Sequence, residues 1–132
     1  MLEKITELAE KEKKISDFHL RSGSDIAYRL LGDIIVAPGS KIEEKDLEDL
    51  LKKNCPESDI KKFHSHWELD TAVMLGNLRF RANFFKTLNG SGAVLRRVET
   101  KVPLMDDLML PQVLYELLDT HKGLVLVTGP TG

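Results

Sequence analysis

The sequence predicts an α+β protein with an antiparallel sheet and flanking helices, running on into the first helix and strand of an α/β unit. Three observations carry this reading. Apolar residues recur at helical spacing near the N-terminus and mid-chain, short alternating runs between turn residues read as strands, and a continuous apolar run closes the chain. With 132 residues there is room for one domain, or one small domain plus a fragment of another. A composition of 42% hydrophobic and 30% charged residues is that of a globular protein and excludes disordered and collagen-like classes.

The elements follow in order. Leu2, Ile5, Leu8 and Ala9 share one helical face, and Glu7 with Lys11 and Glu10 with Lys14 are favourable pairs, so residues 2–14 read as a helix. Asp17-Phe18-His19-Leu20-Arg21 then alternates, Ser22-Gly23-Ser24-Asp25 is turn chemistry, and Ile26 to Leu31 and Ile34 to Val36 are short strands separated by Gly32-Asp33. This is an antiparallel meander. Pro38-Gly39 closes it, and Ser40-Lys41-Ile42-Glu43 reads as a capping box for a helix that presents Leu47, Leu50 and Leu51 and ends near Asn54.

Pro56 opens a second helical stretch with Ile60 and Phe63 one turn apart, and Trp67 to Leu75 alternates as a strand. Leu78 to Lys86 and Ser91 to Val98 form a hairpin, with Asn89-Gly90 as its two-residue loop. Glu99 to Leu110 reads as a linker with at most one helical turn. Pro111 then starts a helix carrying Val113, Leu114, Leu117 and Leu118, which Gly123 ends. Leu124-Val125-Leu126-Val127-Thr128 is the mark of a strand buried on both faces of a parallel sheet.

The single Cys55 forms no internal disulfide and fits a reducing compartment. No apolar run approaches the ~18–20 residues of a membrane span, and Glu3, Lys4, Glu7 and Glu10 stand where a signal peptide would be apolar. The formal net charge of −2 gives no general case for nucleic acid or an anionic membrane as partner. The distribution of charge is more informative. Between Thr71 and Val98 there is no carboxylate, yet Arg79, Arg81, Lys86, Arg96 and Arg97 all lie there, a local field that favours an anion.

With Asn89-Gly90 as the loop, Phe84 faces Leu95 and Asn83 faces Arg96. Arg79, Arg81, Asn83 and Arg96 then share one face, while Phe80, Ala82 and Phe84 share the other. Guanidiniums without a neighbouring carboxylate make a phosphate clamp; a solvated outer face is the plainer reading. Arg97 is awkward, because this register puts it on the apolar face opposite Ala82; a longer loop, Lys86 to Gly92, is the alternative, which would weaken the register but leave the charge excess intact. Gly129-Pro130-Thr131-Gly132 follows the last strand where a phosphate-binding loop of pattern G-x-x-x-x-G-K-[ST] would begin, although an ordinary turn fits these four residues as well. The second glycine and the lysine of that pattern are not in the sequence, so a truncated fragment is expected.

His64 and His66 would share one side of a strand, but no third ligand stands at metal spacing, so no metal site is expected and a surface pair is the simpler reading. His19, between Phe18 and Leu20, reads as a half-buried strand residue. Asp106-Asp107 reads as the charged first turn of a helix. No nucleophile, base and acid set is apparent, and Trp67 and the phenylalanines are too dispersed for base stacking.

These residues resemble a known family. Asp17-Phe18-His19-Leu20 with Ser22-Gly23, then Arg79-Phe80-Arg81-Ala82-Asn83, then Gly90-Ser91-Gly92-Ala93-Val94-Leu95-Arg96, and finally the run Gly123 to Gly132 are similar to the PilT-type twitching-motility ATPases. Those are type IV pilus retraction motors of the secretion ATPase superfamily. The resemblance implies a PAS-like N-terminal domain over residues 1–98, a linker over 99–110, and the start of a RecA-like P-loop ATPase domain over 111–132. It also implies that Arg79, Arg81 and Arg96 reach nucleotide phosphates when domains close, with Gly129, Pro130, Thr131 and Gly132 opening the P-loop.

ATP and Mg2+ are then the cofactors of the full-length protein. None is expected in this fragment, which lacks the P-loop lysine, holds no catalytic residue and should be inactive alone. The resemblance further implies a cytoplasmic hexamer that works with the inner-membrane pilus machinery, without entering the membrane or binding nucleic acid. Two alternatives remain: a stand-alone PAS-like ligand-binding or interaction module, and a pilus assembly or type II secretion motor.

Overall fold

The computed structural model describes residues 2–99 and 101–129, and the chain divides into two compact units, residues 1–100 and 101–132. In the first, helix α1 (Leu2–Lys11) buries Ile5 and Ala9 completely. It stops short of the predicted Lys14 because the Glu12 carboxylate accepts the Lys14 N–H at 3.0 Å, diverting the backbone into a turn. Strands β1 (Ile15–Arg21), β2 (Asp25–Leu30) and β3 (Asp33–Lys41) form the expected antiparallel meander. β3 runs through Pro38-Gly39 instead of ending there. It is an edge strand, where a proline leaves no ladder hydrogen bond missing.

The capping box predicted at Ser40 is displaced. Ser40 is buried within β3, where its Oγ accepts the Ile26 N–H at 3.0 Å and donates to the Ala37 carbonyl. The cap forms three residues later: the Glu43 N–H donates to the Asp46 carboxylate at 2.8 Å, and helix α2 (Glu44–Asn54) follows with Leu47, Leu50 and Leu51 buried as the periodicity requires. Helix α3 (Glu57–His66) buries Phe63 and ends where Trp67 turns into the left-handed region at φ 65°, so Trp67 terminates the helix and does not begin the strand.

Strands β4 (Glu68–Leu75), β5 (Leu78–Thr87) and β6 (Gly90–Val98) complete one antiparallel sheet of order β3-β2-β1-β6-β5-β4. Strand alternation sends Phe18, Phe80 and Phe84 to the side covered by α1, α2 and α3. Phe80 meets Phe18 edge-on at 6.0 Å between centroids, and Phe84 meets Phe63 at 6.2 Å.

The β5–β6 loop is Leu88-Asn89, since Thr87 pairs with Gly90, so the predicted register is two residues out. The turn sits earlier because the Thr87 Oγ1 accepts the Asn89 N–H at 3.3 Å and donates to the Gly90 carbonyl at 2.8 Å, while Gly90 takes a positive φ of 123° within the strand. A slip of two preserves side-chain facing, because the period of a strand is two. Arg96 therefore opposes Arg81 instead of Asn83, on the face the sequence assigned to it.

In the second unit, a 3₁₀ turn at Asp106–Leu108 and helix α4 (Val113–Leu118) lie where a helical turn and a helix were predicted. The predicted strand at Leu124 to Thr128 is absent: Leu124, Val125, Leu126 and Val127 are exposed and irregular. A parallel strand is stabilised by neighbours on both sides, and this unit has no strand among its described residues to pair with.

Candidate functional site: a basic sheet face

The face of the sheet turned away from the helices is built row by row from strand pairing. One row runs Ile34 (β3), Arg29 (β2), Asp17 (β1), Arg96 (β6), Arg81 (β5) and Ala72 (β4). The next row on one side carries Val98, Arg79 and Met74, and on the other His19, Val94, Asn83 and Asp70. Arg79, Arg81 and Arg96 are therefore brought together on adjacent strands, and all three are exposed.

The expectation of a cluster without carboxylates is overturned. Asp17 is half-buried; its Oδ2 accepts the Arg29 Nε–H at 3.1 Å and the Ser16 hydroxyl at 2.7 Å, and it stands directly opposite Arg96. Asp70 lies 3.8 Å from the Arg81 guanidinium, and Glu68 accepts from the Asn83 amide at 3.1 Å. A stretch of chain free of acids says nothing about the lateral neighbours in a sheet, which come from other strands. The hairpin alone does not reveal Arg29, Asp17 and Asp70; the pairings of β2 with β1, of β1 with β6 and of β4 with β5 place them here.

Arg97 has a structural explanation. It lies on the helix-covered side opposite Phe80, only 14% exposed, and its Nη1 donates to the Ala9 carbonyl at 2.8 Å. That carbonyl belongs to the last turn of α1, where a cation satisfies an oxygen without a helical partner and the negative helix end. His19 is half-buried on β1, with an Nε2 that has no hydrogen-bond partner among the described residues. His64 and His66 lie in the last turn of α3, not on a strand, so two residues apart they point ~200° away from each other. Gly129 is irregular, and Pro130, Thr131 and Gly132 lie outside the described residues.

A second electrostatic centre holds the hairpin in place. Glu44, at the first position of α2, accepts from the Ser91 N–H at 2.8 Å, from the Ser91 hydroxyl, and from Lys86 Nζ at 2.9 Å. Burial raises its pKa, but the Ser91 hydrogen bonds and the Lys86 ammonium outweigh that and hold the carboxyl at about 2, down from 4.5. Glycine suits position 90 alongside, because the backbone there takes φ 123°, which L side chains rarely adopt, and a Cβ would also come within 3.0 Å of the Ser22 Cβ. Since the folded pKa is depressed, this contribution is complete above pH 4.5 and is lost as pH falls towards 2. Denaturation measured across that window is expected to show stability falling with acid, with a shallower slope in Glu44→Gln, which is also less stable at pH 7.

A face of this kind can bind an anion: guanidinium forks present paired donors to a phosphate or carboxylate and hold their charge at any physiological pH. Among the described residues no three His, Cys, Asp or Glu side chains gather to hold a metal.

No family model matches the chain. Over 131 residues it is 36% identical to the type IV pilus retraction ATPase PilT of Pseudomonas aeruginosa, a match that covers 97% of this chain and 38% of that protein. The YggR protein of Escherichia coli, described as uncharacterized, is 34% identical over 132 residues, covering 99% of this chain and 39% of its own length. Among solved structures, the crystal structure of the pilus retraction motor PilT with bound ADP superposes with a TM-score of 0.81 at 32% identity, over 100% of this chain and 38% of that one. The chain thus spans about two-fifths of the length of the relatives it matches.

Proposed function

This chain is homologous to the N-terminal region of the PilT-type pilus retraction ATPases, and from that kinship we propose that it serves as the N-terminal domain of a hexameric ATPase that powers type IV pilus retraction and twitching motility. In this reading residues 1–98 form the domain, 99–110 the linker and 111–132 the start of the P-loop domain. Its arginine face meets the phosphates of ATP, and the rest of its surface offers packing to a neighbouring subunit at the cytoplasmic side of the pilus machinery. The observation that carries the reading is the convergence of Arg79, Arg81 and Arg96 on one exposed face, in a fold shared with a motor whose structure contains ADP.

The chemistry fits. Phosphoryl transfer depends on charge stabilisation of the transferring group, and a guanidinium brought in by a moving domain supplies it only in the closed state. ATP with magnesium is the cofactor proposed for the full-length protein. The guanidiniums here suit its phosphate oxygens, and the metal would be held by groups outside this face.

A structure of the full-length protein with a non-hydrolysable ATP analogue tests this. In closed subunits, a guanidinium nitrogen of Arg79, Arg81 or Arg96 is expected within ~2.7–3.2 Å of a phosphate oxygen. An arginine face turned away from nucleotide in every subunit would contradict the reading.

A further inference from the structure

Along the central row the charges run positive at Arg29, negative at Asp17, positive at Arg96 and positive at Arg81, with Asp70 3.8 Å from Arg81 on its far side. Arg96 and Arg81 are directly opposed, and like charges in that position are destabilising in a sheet. No carboxylate of the paired rows stands between them. Each arginine instead has an acid on its outer flank: Asp17 opposite Arg96 and Asp70 beside Arg81.

We propose that Asp70 is the resident counter-ion of the arginine face, that competition between it and an incoming phosphoryl group sets how strongly the face binds phosphate, and that Asp17, held by Arg29 and Ser16, adds a fixed negative charge opposite Arg96. This rests on reading the face as a phosphate-binding surface. The two acids balance the like-charge pair while the face is open to solvent. A phosphoryl group entering between Arg81 and Arg96 supplies the missing negative charge, and Arg81 exchanges its carboxylate partner for the ligand. Asp17 is the firmer of the two, since it is half-buried and tied to Arg29 and Ser16, whereas the Asp70 pair is exposed and readily broken. Asp17 fixes the row; Asp70 is the group displaced.

The test is titration of the 132-residue chain with inorganic pyrophosphate at fixed ionic strength, following the arginine Nε–H resonances by NMR. Asp70→Asn is expected to bind about two- to fivefold more tightly than the parent, the range an exposed ion pair can supply. Glu68→Gln raises the net charge of the same face by the same amount but releases no arginine, because Glu68 holds Asn83; its gain is expected to be smaller. In an Arg81→Gln background the effect of Asp70→Asn should vanish. Asp17→Asn is expected to tighten binding as well, and a folded Asp17→Asn chain that binds no more tightly overturns the part given to Asp17. Equal gains from Asp70→Asn and Glu68→Gln overturn the counter-ion assignment and leave the arginine reading standing. Binding that is the same in Arg81→Gln and Arg96→Gln as in the parent overturns both.

Discussion

Replacing Phe80 with alanine is expected to destabilise residues 1–100 by about 3–5 kcal/mol, a large share of the ~5–15 kcal/mol that holds a typical domain together. Phe80 sits mid-strand in β5, is fully buried, and meets the Phe18 ring edge-on across the sheet. Both rings are locked by strands on either side, so the backbone cannot collapse to fill the space, and the loss includes a cavity term as well as the transfer term. Thermal unfolding followed by circular dichroism should show a midpoint lowered by about 15–30 °C, or no cooperative transition. Leu88→Ala is the matching control. Leu88 is fully exposed at the hairpin loop, and its truncation should change stability by less than ~0.5 kcal/mol.

The fold was legible wherever local periodicity and packing agree. Leu47, Leu50 and Leu51 fall on one helical face and are buried, and Phe80, Ala82 and Phe84 alternate with arginines and are buried. The misplacements have a common cause. The Ser40 side chain suits a helix cap, but in the structure the same hydroxyl satisfies the Ile26 N–H of the neighbouring strand. The dipeptide Asn89-Gly90 suits a two-residue turn, but the Thr87 hydroxyl closes the turn one position earlier. In each, a short polar side chain had more than one partner within reach: for Ser40 the neighbouring strand decided, for Thr87 the turn itself. Leu124 to Val127 shows the opposite limit: a strand signal with no neighbouring strand among the described residues of its unit yields no strand.

The arginine face was half legible. Alternation within one hairpin sufficed to put Arg79, Arg81 and Arg96 together, and the two-residue slip left that result intact. The carboxylates could not be found the same way. Asp17 reaches the face through the pairing of β1 with β6, two strands separated by most of the domain's sequence, and nothing local to either announces it. Arg97 was unplaceable for a similar reason, since its partner is the Ala9 carbonyl at the far end of the domain sequence.

The most direct measurement of whether this face serves the nucleotide is steady-state ATP turnover by the full-length protein carrying Arg81→Ala and Arg96→Ala, singly and together. Removing a group that stabilises charge only in the transition state lowers kcat and kcat/KM alike, and such groups contribute about 10²–10³-fold. Because both arginines are exposed, the variants should fold, and an unchanged thermal midpoint would separate a catalytic effect from a structural one. The expected result is a fall in kcat of about 10²-fold or more in the double variant with the midpoint preserved. Turnover and KM for ATP equal to the parent in that variant would contradict the account.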